Sequence, residues 1–297
     1  MTPDVQIVLM VYKSRRVLPQ FLETVGTTLP IILVDNSYAE DDLSDILAGY
    51  PNVTRLDAGG NIGYSAAANL GARAATSEII ILMNPDTRPS AESLLELARY
   101  LDTHPDTGAC GAAGVGTAGG GAQPTALRIL AHTLGWHRRS ALSGVFFQDL
   151  GGCHIEVEWV AGSCLAIRRD LYAAIGGFDP SYYIYMSDFD LGRRLQEAGY
   201  RQMVLGDVVV PHDDGGSSDL PAIWTWERRG RAWTRYLRAT RSLPAGLGLT
   251  VLLVAGYAIR AFAYTVARNH NKSLELRTYL GSVLREWASA TSSQPQL

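Results

Sequence analysis

The stretch Ile79-Ile80-Ile81-Leu82-Met83-Asn84-Pro85-Asp86-Thr87 constrains the fold more than any other part of the chain. A continuous apolar run rich in β-branched residues, bounded by Ser77 and by Asn84-Pro85, matches a strand buried on both faces, as in a parallel sheet. Polar chemistry begins where that strand stops. In open α/β sheets, ligands sit beyond the carboxyl ends of the strands, and Pro85 pushes Asn84 into extended geometry. Asp86 is thus placed to hold a divalent cation or a ribose. The same residues also fit a plain turn, since Asn-Pro initiates turns.

The neighbouring segments repeat the arrangement. A strand at 5–11 runs into Tyr12-Lys13-Ser14 and a helix at 17–25. A second strand at 30–34 ends in Asp35-Asn36-Ser37, and a helix over 40–47 stops before Pro51. A third at 53–56 leads to Gly59-Gly60-Asn61-Ile62-Gly63, then to an Ala-rich helix over 64–75 suited to close packing on a sheet. The strand at 79–83 and a helix at 90–101 follow. Such alternation predicts βαβ units and a parallel sheet. It gathers four polar segments on one sheet edge, and a nucleotide site is the economical reading.

Beyond residue 110 the pattern thins. The glycine-alanine stretch 111–121 reads as a loop, and 125–152 has little periodicity. Residues 156–167 read as a strand broken at Gly162-Ser163, by a bulge or by close approach of a ligand. Ser187-Asp188-Phe189-Asp190 opens a helix with Leu191 and Leu195 on one face. Ser187 and Asp190 have capping-box spacing. Asp188 falls in the first turn, where the helix dipole favours its charged form, so an exposed, ionised Asp188 can serve as a general base. Short strands at 200–205 and 208–210 end at Pro211-His212-Asp213, where a lone histidine is more often structural than a ligand.

Composition limits the alternatives. A hydrophobic content of 47% fills a core and excludes a disordered or fibrous chain, and a net charge of −3 gives no argument for nucleic acid. Three cysteines (Cys110, Cys153, Cys164) lack metal-type spacing and read as reduced thiols of a cytosolic protein. Met1-Thr2-Pro3-Asp4 carries no basic n-region, so no signal peptide is expected.

In order and spacing, these segments resemble the inverting family 2 glycosyltransferases of GT-A fold, in particular the rhamnosyltransferase-like branch. The resemblance covers 5–218, the expected catalytic domain (1–218), and rests on several blocks. They are Val34-Asp35-Asn36-Ser37, Gly60-Asn61-Ile62-Gly63-Tyr64 with Asn69-Leu70-Gly71, Asn84-Pro85-Asp86, and Trp159-Val160-Ala161-Gly162-Ser163 with Ile167-Arg168-Arg169. Gly176-Gly177-Phe178-Asp179-Pro180, Ser187-Asp188-Phe189-Asp190-Leu191, Arg194, Ala198-Gly199-Tyr200 and His212 complete it.

The resemblance implies a nucleoside diphosphate sugar as donor, a dTDP- or UDP-sugar, with Tyr12 and Asp35 at the pyrimidine. It puts Asn61 and Asn69 near the nucleoside, Asn84 near the ribose, and Asp86 on a Mg²⁺ or Mn²⁺ ion that suits oxygen ligands. His212 matches a further metal ligand and Asp188 the catalytic base. Two residues depart from the pattern: Ser187 stands where Glu is usual, and Lys13 where Asn is common. The Ser187 departure keeps open a nucleotide-sugar-binding protein without catalysis; a retaining GT-A transferase is the other alternative.

The remainder, 219–297, reads as a helical, membrane-associating region. On a helix over 222–241, Arg228, Arg231, Arg235 and Arg238 share one stripe, with Trp226, Trp233 and Leu237 roughly opposite. A basic amphipathic helix with tryptophans suits a membrane surface, although its aromatics could instead pack on protein while the arginines face water. Residues 243–259 are almost wholly apolar but marginal for a span, so a monotopic anchor or re-entrant helical pair is expected, then a helix at 274–287. The arginines, with Trp159, are candidates for contact with the acceptor or membrane. A basic patch of this kind suggests a polyprenyl-linked saccharide acceptor in cell-envelope polysaccharide synthesis, handled on the inner face of the cell membrane.

Overall fold

The computed structural model describes residues 2–37, 41–115, 119–135, 152–212 and 221–292. Expectations for 38–40, most of 125–152, Asp213 and the C-terminal tail fall outside these residues.

The described elements, in chain order, begin with β1 (Val5–Val11), α1 (Leu18–Val25), β2 (Ile31–Asp35), α2 (Ser44–Leu47), β3 (Val53–Asp57), α3 (Tyr64–Ala74), β4 (Ile79–Met83) and α4 (Ala91–Thr103). Then come β5 (Thr107–Val115), β6 (Gly120–Gly121), α5 (Ala126–Thr133), β7 (Ile155–Val157), β8 (Trp159–Val160), β9 (Cys164–Arg168), α6 (Arg169–Ala174), α7 (Ser187–Glu197) and β10 (Arg201–Pro211). Three long helices close the chain: α8 (Ala222–Thr240), α9 (Leu243–Val266) and α10 (His270–Ser292). They divide between two compact units.

The first unit comprises Met1–Gln123, Phe146–Tyr183 and Ser187–Asp219. Its eight-stranded sheet has the order β3-β2-β1-β4-β9-β5-β10-β7. The first four strands in that order are parallel. β9 runs antiparallel to both β4 and β5, so the sheet is mixed. All five residues of β4 are buried, in keeping with a strand covered on both faces. One face packs under α1 and α4, with Phe21, Leu22, Leu94 and Leu97 in a common cluster, and the other under α3. The alanines of α3 have a physical reason: a Cβ on Gly71 would strike Val8 and come within 2.8 Å of Val34 Cγ2. Helix and sheet are closer there than larger side chains allow, and overpacking such a contact costs about 1–3 kcal/mol.

Two expectations fail here. The 111–121 stretch is not a loop in its described part, because β5 continues through Val115 and Gly120–Gly121 pair with β8. Small residues are required for packing: a Cβ on Gly111 would lie 2.5 Å from Val160 Cγ1 and 2.9 Å from the Cys164 carbonyl. The strands at 200–205 and 208–210 are one strand, β10, whose irregularity between Leu205 and Val209 is a register shift.

The second unit comprises Pro124–Val145, Ile184–Met186 and Leu220–Leu297. The sequence pattern alone put the boundary at 218/219 and had no signal for its two earlier segments. Within this unit α10 packs on α8, where Gly230 fits under the Tyr279 carbonyl and Ser282. Arg235 also pairs with the buried Glu286 at 2.9 Å. Gly256 of α9 lies against Thr133 of α5, whose carbonyl accepts from Arg260 Nη1 at 3.2 Å. α9 is one unbroken helix, about 36 Å long at 1.5 Å per residue, rather than a re-entrant pair.

Candidate active site

Parallel register brings the ends of β1, β2, β3 and β4 to one edge, and antiparallel β9 begins there. Met83 is opposite Cys164, and the Asn84 N–H donates to the Ser163 carbonyl at 3.2 Å. β10 ends at the same loop: Arg88 N–H donates to the Pro211 carbonyl, and Thr87 bridges His212. Thr87, Ala161, Ser163 and His212 line a small cleft.

Asp86 is buried, and its Oδ1 lies 3.2 Å from His212 Nε2. That oxygen has no hydrogen-bond partner, although a buried carboxylate oxygen ordinarily has one. A carboxylate oxygen and an imidazole nitrogen converging without a bond between them suit a shared divalent cation. Among the described residues no third His, Cys, Asp or Glu joins them. A cation held here would therefore take its remaining ligands from a bound diphosphate or water.

Asp188 stands in the first turn of α7, partly buried rather than exposed as expected. Its Oδ1 accepts from Phe189 N–H at 3.0 Å and its Oδ2 from Gly162 N–H at 3.4 Å. Burial pushes its pKa up to about 6, outweighing the opposite pull of those N–H groups. The value suits a base working near neutral pH. Gly162, which read as either a bulge or a close approach, lies against the Asp188 carboxylate. Its carbonyl accepts from Tyr64 Oη at 2.5 Å, and a Cβ there would come within 2.9 Å of that hydroxyl.

Tyr64, absent from the expected site residues, lies within electrostatic reach of both carboxylates. Its phenol is pushed well above its ordinary pKa, first by burial and then by the nearby carboxylates Asp188 and Asp86. Asp86 and Asp188, about a hundred residues apart in sequence, thus both act on one side chain. Sequence offered only a faint cue, the tyrosine directly after Gly63, whose Cβ would collide with Tyr183. The Tyr64 N–H itself donates to the Tyr183 carbonyl at 2.7 Å.

The residues expected at the nucleoside are knitted between strand termini. Asp35 is buried, paired with Arg55 at 2.6 Å and accepting from Ser37 N–H at 2.8 Å. Arg55 was not foreseen, although β3 lies beside β2. Tyr12 is half-buried, with the Lys13 ammonium 5.6 Å from its ring centroid. Lys13 has φ 50°, the left-handed region Asn tolerates better than other side chains, which gives the Asn-to-Lys departure a cost. Asn61, exposed, accepts from Asn36 Nδ2 at 3.1 Å. The Asn84 carbonyl accepts from both the N–H and the hydroxyl of Thr87.

Several expected contacts are used elsewhere. Asn69 Oδ1 accepts from Tyr172 Oη at 2.6 Å and Phe178 N–H at 3.0 Å, while its Nδ2 donates to the Phe178 carbonyl. The amide therefore braces the Gly177-Phe178 turn against α3 instead of facing a nucleoside. Trp159 is not an acceptor contact: it is buried, its Nε1 donates to Ala122 O, and it stacks on Phe189 at 4.1 Å. Asp190 does not complete a capping box either. It pairs with Arg193 and with Arg194, which reaches the Ile175 and Gly177 carbonyls and ties α7 to that turn.

The arginine stripe of α8 is also largely satisfied within its own unit. Arg231 pairs with Glu227 at 2.7 Å and Arg235 with Glu286, while Arg238 lies over Trp287 and Arg228 over Trp224. Trp233 is buried and stacks on His132. The stripe is thus no open basic patch.

The mixed sheet, with its polar loops and carboxylates at one edge, defines a GT-A fold. The mannosyltransferase PcManGT of Pyrobaculum calidifontis, solved with GDP-Man and Mn²⁺, superposes with TM-score 0.55 at 18% identity over 98% of this chain and 87% of its own. GalNAc-T7, solved with UDP, GalNAc and Mn²⁺, gives 0.54 at 13% identity over 80% and 52%. The chain belongs to glycosyl transferase family 2, whose model matches residues 6–176. It is similar to the N-acetylglucosaminyl-diphospho-decaprenol L-rhamnosyltransferase of Mycobacterium tuberculosis, 28% identical over 242 residues, covering 73% of this chain and 78% of that one. The protein is therefore a glycosyltransferase.

Proposed function

We propose that the protein transfers a sugar, rhamnose by its similarity to the mycobacterial enzyme, from a dTDP- or UDP-sugar to a lipid-diphosphate-linked saccharide. The observation that carries this reading is a pair of unlike carboxylates that both bear electrostatically on Tyr64, Asp188 also meeting it through Gly162. Asp86 faces a histidine with an unbonded oxygen, and burial raises Asp188 to about 6.

Asp188 accepts the proton of the acceptor hydroxyl as its oxygen attacks the anomeric carbon. The bond from that carbon to the donor diphosphate breaks, and the nucleoside diphosphate leaves with the electron pair. One displacement inverts the anomeric configuration and needs no enzyme nucleophile. Asp86 and His212 would hold a Mg²⁺ or Mn²⁺ ion, which supplies charge compensation to the diphosphate. Tyr12, Asp35, Asn61 and Asn84 border the nucleoside. A base poised near neutrality supports catalysis over mere sugar-nucleotide binding, despite Ser187.

The second unit supports peripheral, monotopic attachment to a membrane. α9 contains a window of mean hydropathy 1.7 and buries only a third of it. Gly246, Thr250, Leu253 and Gly256 face the other helices, while Leu243, Leu247, Val251, Ile259, Phe262 and Val266 are exposed on the outer stripe. An in-plane helix with its apolar face in the lipid fits this split.

The deciding experiment incubates the protein with a panel of nucleotide sugars and a short-chain isoprenyl-diphosphate-linked N-acetylglucosamine, with Mn²⁺ or with EDTA. Transfer of one sugar with inverted configuration, abolished by EDTA, is expected. Retention of configuration, or no turnover with any donor, would refute the reading.

A further inference from the structure

Arg229 differs from the other arginines of α8. Its guanidinium lies 5.0 Å from the ring centroid of Tyr185 and 5.6 Å from that of Trp226. Among the described residues it has no acidic partner, whereas Arg231 and Arg235 are matched to Glu227 and Glu286. Ring contacts engage the face of a guanidinium and leave its in-plane N–H groups unspent. An exposed fork held between two rings is already oriented for a planar or tetrahedral oxyanion.

The surroundings belong to the same unit. Trp226 meets Tyr257 and Tyr279 edge-on at 6.2 and 6.1 Å, and those two tyrosines lie 4.5 Å apart. Tyr279 is 1% exposed, and its hydroxyl has no hydrogen-bond partner. A buried hydroxyl ordinarily has a hydrogen-bond partner, so an unsatisfied one calls for an explanation. Burial raises the Tyr279 pKa well above its usual range, and the Arg229 charge opposes that rise, so the two groups share one field. Tyr185 and Met186 also hold left-handed backbone, at φ 67° and 64°, which is costly for side chains of this size. They lead in sequence directly into Ser187 and Asp188.

We propose that Arg229, clamped by Tyr185 and Trp226, is the subsite for the phosphate groups of the acceptor. The ligand class is an isoprenyl diphosphate ester, its phosphates on the guanidinium fork. This rests on the lipid-linked acceptor proposed above and adds the residue that recognises it. A clamped arginine spends little entropy on binding, an advantage for a ligand with a long flexible tail.

The test compares Arg229→Gln with Arg285→Gln, which removes the same charge from the same unit. The readout is the ratio of kcat/KM for the isoprenyl-diphosphate-linked N-acetylglucosamine to that for an alkyl N-acetylglucosaminide lacking phosphate. Arg229→Gln is expected to lower this ratio at least tenfold, and Arg285→Gln less than twofold. Arg229→Lys, which keeps the charge but loses the fork, should fall between and guards against misfolding of the glutamine variant. Equal losses in the Gln variants would overturn the proposal. So would an unchanged ratio with loss of flotation on phosphatidylglycerol vesicles, which would assign Arg229 to headgroups.

Should the wild type transfer to neither acceptor, the functional reading fails while the subsite remains testable. Geranyl diphosphate binding in EDTA, followed by tryptophan fluorescence, should then be at least tenfold weaker in Arg229→Gln. Equal affinity would overturn the subsite too.

Discussion

The two units solve opposite solvent problems. The sheet unit hides its apolar side chains: Ile7, Leu9, Leu33, Ile81 and Leu82 are all fully buried, and polar groups gather at the strand ends. The helical unit buries Thr234, Thr250 and Ser282, whose hydroxyls donate to helix carbonyls of Gly230, Gly246 and Tyr279. It leaves Leu243 and Phe262 each 71% exposed. Full burial of such a side chain contributes about 1.5–3 kcal/mol, so six left outside forgo on the order of 10 kcal/mol. An apolar phase would recover that. The contrast is between a unit that closes over its apolar side chains around a polar cleft and a unit that leaves an apolar helix face exposed.

The contrast can be broken most severely at the polar cleft. Asp188→Asn should lower kcat by about 10²–10⁴-fold with donor affinity retained, and a loss under tenfold would remove Asp188 as base. In the wild type, kcat should fall tenfold per pH unit below about 6. The stability sign is the reverse of the usual carboxylate case. With a folded-state value of about 6 against 3.8 unfolded, the native state binds the proton more tightly. Stability at this group is therefore full below pH 4 and lost as the pH rises to 6. Asp188→Asn should raise Tm at pH 7, with an upper bound of about 3 kcal/mol because water reaches the partly buried group.

Asp86→Asn probes the same cleft from the cation side. Loss of partners behind a metal ligand costs 10–100-fold in affinity, so loss of the ligand itself should weaken Mn²⁺ binding at least about 100-fold. The thermal shift that Mn²⁺ produces in the presence of UDP should vanish with it. An undiminished shift would place the cation elsewhere.

At the helical unit, Leu247→Asp combined with Phe262→Asp puts charge on the outer stripe of α9. Flotation with phospholipid vesicles should be lost while the Tm moves by only a degree or two, since neither side chain is buried. Flotation that survives would return α9 to the status of an ordinary surface helix. The smallest effect is expected of Lys13→Asn, which relieves a left-handed lysine and should stabilise by about 0.5 kcal/mol. Destabilisation would mean that the Lys13–Tyr12 contact outweighs the backbone cost.

Much of the sheet edge was legible because parallel strands have a simple signature. β1, β2 and β4 are near-continuous apolar runs, and each ends in polar residues that register then aligns. β5 was not legible, because its Gly111 is small for reasons lying on other strands. Asp35 was singled out without its partner Arg55, since the sequence does not say which strands are neighbours. Asn69, Trp159 and Asp190 carried family-like spacing, yet their side chains brace turns and core. Arg229 was passed over because on a helical wheel it looks like any other arginine.

The order of residues was enough to determine alternating elements, polar strand ends, the family and the apolar character of α9, because each is a local pattern of period and composition. Tertiary structure alone decided that Asp188 is raised by burial, that Tyr64 lies within the field of both carboxylates, and that α9 leaves one stripe of large apolar residues exposed. Burial, ionisation and pairing depend on what the rest of the chain brings within a few ångströms, and no local pattern contains that.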